Sequence, residues 1–140
     1  MNTVLKDINL NLKHLKIITN IQVDLSYFNV LAEQVFNDKS LYANIQSDVQ
    51  FINQIGGLLF NYFTDSDPNT QKIWYIALAS GLIHSINDAN NLISKIPLEN
   101  PKGADLAAIL NVFITDCKAI SKIIPLDQNQ VTSVLPEELN

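Results

Sequence analysis

Apolar residues recur every three or four positions along most of this chain, with polar residues filling the gaps. That is the spacing of a helix with one buried face. The pattern is longest between Asp67 and Ile96. Asp67 offers a carboxylate to the free N–H groups of a first turn, and Pro68 fits that turn because its missing N–H costs nothing there. From Ile73 to Ile83 every position is apolar or small, so no polar strip is left to face water. Further on, Ala79, Leu82, Ile86, Ala89, Ile93 and Ile96 form one stripe, while His84, Asn87, Asp88, Asn91 and Lys95 share the other side. One long helix is predicted, buried nearly all round in its first half and on one stripe in its second.

Residues 3 to 17 are read as helical from Leu5, Ile8, Leu12 and Leu15, although Ile8, Leu10 and Leu12 also alternate as a strand would. Thr19 to Gln22 has the form of a capping box, with Ile18 and Val23 placed as a hydrophobic staple. A second helix from Asn20, with the stripe Ile21, Leu25, Phe28, Ala32 and Val35, is therefore predicted, or one long helix with a break near Thr19. A third helical stretch, about 40 to 63, carries Leu41, Ile45, Val49, Ile52, Ile55, Leu59 and Phe63 on one face. Gly56 and Gly57 lie inside it, where they mark a bend or a close approach by a neighbour. The last helix, about 104 to 124, shows Leu106, Leu110, Phe113, Cys117, Ile120 and Ile124, and Pro125 stops it. A weak internal similarity links Ile86-Asn-Asp88 and the segment Ser94 to Glu99 to Ile114-Thr-Asp116 and the segment Ser121 to Asp127; shared helix-stop chemistry, a late Lys and then Pro, explains it more simply than a duplication.

Composition changes this picture in one respect. Charged residues are 16% of the 140, against about 25% in an average domain, while apolar residues stand at a normal 47%. The surface is thus polar but weakly charged, with a net charge of −5. All nine basic residues are Lys, so there is no guanidinium fork for phosphate or guanine, and a nucleic-acid partner is not expected. A single cysteine excludes an internal disulfide framework. The opening residues carry no long apolar run, and no stretch of about 18 apolar residues occurs, so neither a signal peptide nor a membrane-spanning helix is read. The expected location is the cytoplasm, or export without a cleaved signal.

Candidate chemistry is sparse. His84 and Asp88 are four residues apart on one helix, a spacing for two metal ligands or a base and its orienting carboxylate, but no third partner lies near them in sequence. A solvated polar face is the simpler reading. His14 and His84 lack the basic, glycine-containing surroundings of a phosphotransfer histidine. Cys117 falls on an apolar stripe and reads as a buried, inert thiol. Gly56-Gly57 lacks the Lys and Ser/Thr of a phosphate loop. Ala77, Gly81 and Ser85 are small residues spaced by four, which suits close helix packing or a groove for an extended apolar ligand. Ile73, Trp74, Ile76, Ala77 and Ile83 lie off the core stripe and need cover, from a fifth helix around a central one or from a second molecule.

The expectation is an all-α bundle of four or five mostly antiparallel helices with short loops, residues 1–125 forming one domain and 126–140 a C-terminal tail. No catalytic, cofactor-binding or metal site is assigned. The leading function is a non-enzymatic protein-interaction module of adaptor, inhibitor or immunity type, acting on a protein partner or by self-association. Its candidate interaction or ligand-facing residues are Ile73, Trp74, Ile76, Ala77 and Gly81. A carrier of an apolar, lipid-like molecule between helices is the alternative. A membrane-active helical protein comes third, although a membrane partner is not expected.

Overall fold

The computed structural model of the chain describes residues 12–97 and 99–123; the side chains of residues 39–41 and 123 lie outside that description. These residues form four α-helices and no strand: α1 Leu12–Val35, α2 Lys39–Thr64, α3 Pro68–Lys95 and α4 Gly103–Ile123. The helices form a packed bundle. Short connections leave sequence neighbours antiparallel, and the contacts run accordingly: His14 stacks on Phe63, Leu25 lies over Gly56, and Asn29 bonds to Asn53.

The buried residues step by three and four in alternation. In α1 they are Ile18, Ile21, Leu25, Phe28, Ala32 and Val35. In α3 they include Leu78, Leu82, Ser85, Ala89 and Leu92, and in α4 Leu106, Leu110, Phe113, Cys117 and Ile120. An average step of 3.5 keeps one stripe facing its neighbours when helices cross at a shallow angle of about 20°. Each large side chain so buried stabilises the fold by about 1.5–3 kcal/mol before the entropy of ordering it is counted.

The bundle is a ring. α2 packs on α1 and α3, α4 packs on α3 and α1, and the diagonal pairs do not approach each other. The contact between α2 and α3 is the most extensive, and that between α1 and α2 the least. Gly81 explains part of the first. A Cβ there would stand 2.8 Å from Leu58 Cδ1, so its absence lets α2 and α3 close up. Ser85 follows one turn later and donates to the Phe51 carbonyl, at 3.4 Å. Gly56 does the same for α1, since a Cβ there would stand 3.3 Å from Leu25 Cδ1, whereas a Cβ on Gly57 would meet nothing within 4 Å.

Several expectations are corrected here. α1 runs unbroken through Thr19, whose hydroxyl donates to the Leu15 carbonyl at 2.8 Å instead of capping a new helix. The staple fails with it, since Ile18 is buried and Val23 exposed. α3 is not buried all round in its first half: Ile73 is 63% exposed, and Trp74, Tyr75, Ile76 and Ala77 are half-buried. The reason is the ring. Among the described residues α3 has two neighbours and no fifth helix beside it, so its outward strip stays uncovered. In its second half the core line runs through Leu92, with Ile86 and Ile93 on the flanks. Asp88, read as part of a solvated face, is buried. The segments 3–11, Ile124, Pro125 and the tail 126–140 lie outside the described residues.

Candidate functional site

α1 carries two apolar faces. Opposite its core stripe lie Leu12, Val23, Tyr27 and Val30, all strongly exposed, with Tyr27 at 61%. The steps of eleven, four and three residues keep them on one side of the helix. Lys16 lies on that side between Leu12 and Val23, but from Thr19 to Val30 its other members are Thr19, Asn20 and Ser26, so this part holds no charge. An amphipathic helix in a bundle needs one apolar stripe, and the second is surplus to folding.

The seam between α1 and α4 holds a second feature. Asp24 sits three residues after Ile21 and four before Phe28, inside the core stripe, and is only 6% exposed. Asp116 has the same placement in α4, between Phe113 and Ile120. The two carboxyls share a hydrogen bond across the seam. Asp24 is pushed up to about 8, first by burial and then by the hydrogen bond and charge of Asp116. At neutral pH the raised value keeps a proton on Asp24, which lets its carboxyl hydrogen-bond to that of Asp116. Its Oδ2 is buried with no hydrogen-bond partner. Cys117 lies beside the pair, and burial, then the charges of Asp116 and Asp24, push its thiol up. It is a weak nucleophile in this setting.

On its other flank α1 meets α2 through an amide pair. Asn29 Nδ2 donates to Asn53 Oδ1 at 2.8 Å, and Asn53 Nδ2 returns a bond to Asn29 Oδ1 at 3.0 Å. This exchange has one register, so it fixes how the two helices line up. Beyond it the helices part around a groove of about 680 Å³, lined by Ala32, Phe36, Tyr42 and Val49 among polar neighbours such as Glu33 and Gln46.

The interaction candidates drawn from the sequence all lie on α3 but do not form one exposed surface. Ile73 faces solvent. Trp74 is half-buried and its indole N–H donates to Asp65 Oδ2 at 3.0 Å, tying α3 to the turn before it. Hydrogen bonds, led by that from Thr70, hold the Asp65 carboxyl below its usual range. Ile76 and Ala77 are half-buried, and Gly81 is turned to α2. His84 stacks on Phe51 with centroids 5.1 Å apart, while His14 stacks on Phe63 at 4.1 Å, where burial lowers its pKa. Among the described residues no group of three or more His, Cys, Asp or Glu side chains can hold a metal ion.

The carboxyl pair and the outer stripe of α1 were not singled out from the sequence. A usable signal existed for the first: an acid three residues after one core position and four before the next, found at Asp24, Asp88 and Asp116 alike. The outer stripe was masked by Lys16, Thr19 and Ser26, which break its apolar run. No family model, curated protein or solved structure matches this chain. No helix among the described residues is long and apolar enough to cross a membrane.

Proposed function

We propose that the chain is a non-enzymatic interaction module of the adaptor, inhibitor or immunity type, which meets a protein partner through the outer stripe of α1. The observation that carries this reading is the uncharged exposed row Val23, Tyr27 and Val30 on a helix whose core face is already complete. Leaving such a row in water forgoes the stabilisation that burying it against a partner would supply. Tyrosine suits the centre of such a contact, since it offers a large rigid surface and a hydroxyl. A photo-crosslinking residue placed at Tyr27 tests the reading, with Asn90 on the exposed face of α3 as the control position. A protein adduct at Tyr27 that is absent at Asn90, and that disappears with Val23→Gln and Val30→Gln, is expected. Equal labelling at both positions, or none at Tyr27, sinks the proposal.

The groove between α1 and α2 supports a second reading, a small apolar or amphipathic ligand held on Ala32, Phe36 and Val49. Its size falls in the range of ligand pockets. Native mass spectrometry of freshly purified protein separates the two: a bound lipid-like mass supports the groove, and a protein complex supports the stripe.

A further inference from the structure

α1 is held to the bundle at mid-height by polar pairs on both flanks, Asn29 with Asn53 toward α2 and Asp24 with Asp116 toward α4. Only the second can change with pH. Among the described residues, α1 packs against α4 and α2. From α4 the groups facing Asp24 are the carboxyl of Asp116 and the thiol of Cys117. On α2 Gly56 faces the adjacent Leu25, and from Phe51 to Thr64 that helix carries no charged side chain. On α1 itself the titratable residue within a turn is Tyr27, which is exposed. Two carboxylates cannot occupy such a place together without a cation, so the closed seam needs one shared proton.

We propose that the Asp24–Asp116 pair is a proton-dependent latch on the seam between α1 and α4: holding its proton keeps the seam closed, and losing it lets the two helices part far enough for water to reach the buried Asp24 carboxyl. Parting solvates the second charge and the orphan Oδ2 of Asp24, which gains nothing from the closed form. The sparse packing of α1 on α2 makes α1 the helix that gives way. The opening exposes the α1 side of the seam, next to the outer stripe, and leaves the tight α2–α3 pair in place.

Amide hydrogen exchange of the whole chain, corrected for intrinsic rates, tests this between pH 6 and 8. Amides of Ile18–Phe28 and Phe113–Ile120 should open at least about tenfold more often at pH 8 than those of Ile52–Leu59 and Leu78–Leu92. Their opening should fall about fivefold from pH 8 to 7 and about tenfold from pH 7 to 6, as the closed seam regains its proton and each opening comes to release one. Asp24→Asn, which keeps a donor but cannot ionise, should lose that pH dependence. One opening constant common to all four helices, or seam opening indifferent to pH, overturns the latch. Should the variant fail to fold, the wild-type carboxyl carbon signals decide: a neutral Asp24 at pH 6 supports the proposal, and two fully ionised side chains at pH 6 refute it.

Discussion

Asp24 shows how one side chain ties stability to pH. Its carboxyl titrates near 3.8 when free and at about 8 in the fold, so the folded chain keeps a proton that the unfolded chain has lost. The contribution of this group is fully present below pH 4 and is lost as the pH rises through 8. His14 runs the other way: its lowered pKa favours the fold as the pH rises toward 6.5. The window from pH 7 to 8 therefore isolates Asp24. Denaturant unfolding should show a loss of about 1 kcal/mol across it, and Asp24→Asn should show almost none. A wild-type stability that rises over that unit would place the proton elsewhere. Cys117, one residue beyond Asp116, gives a second reading of the same packing. Its burial predicts slow reaction with thiol reagents in the native state and fast reaction in denaturant, as followed by mass.

At the scale of the elements, the helices were legible because their apolar residues repeat and their ends carry local chemistry. Asp67 caps α3 by accepting from the Asn69 N–H at 3.2 Å, with Pro68 in the first turn. Ser94 and Ser121 both donate to the carbonyl three residues back at 2.6 Å, a local device that the two helix ends share. Thr19 was misread because a hydroxyl serves a helix interior as readily as a helix start, and only the continuous backbone on both sides decides between them. Gly57 offers a clean test of helix chemistry without packing. With nothing within 4 Å of its missing Cβ, Gly57→Ala should stabilise the protein by about 1 kcal/mol, visible as a higher melting temperature. Trp74→Ala should cost about 1–2 kcal/mol in chemical denaturation, through partial loss of burial and of the bond to Asp65, and not the 3–5 kcal/mol of a core truncation. A cost at the upper figure would mean that Trp74 is covered more fully than its half-buried place in α3 implies.

At the scale of the whole molecule, the bundle followed from four apolar stripes and short loops, but the arrangement around the ring did not. Periodicity tells which face of a helix is buried and is silent on how many neighbours bury it. The apolar run at Ile73 to Ile83 therefore asked for cover from a fifth helix or a second molecule, whereas among the described residues the ring gives α3 two neighbours and leaves Ile73 in water. The same silence hid the outer row of α1, which belongs to no core stripe. Two faces of this one helix should answer mutation in opposite ways. Phe28 is 1% exposed, and Phe28→Ala should cost about 3–5 kcal/mol because the ring leaves a cavity that the bundle cannot fill. Val23, Tyr27 and Val30 lie on the far side, so replacing all three with Gln should shift stability by no more than about 0.5 kcal/mol for each site. If the row serves a partner, the triple variant keeps its melting temperature within that margin and loses the crosslinked complex. Should it instead melt many degrees lower as a monomer at matched concentration, the row is buried within the chain itself and α1 has no free face to offer.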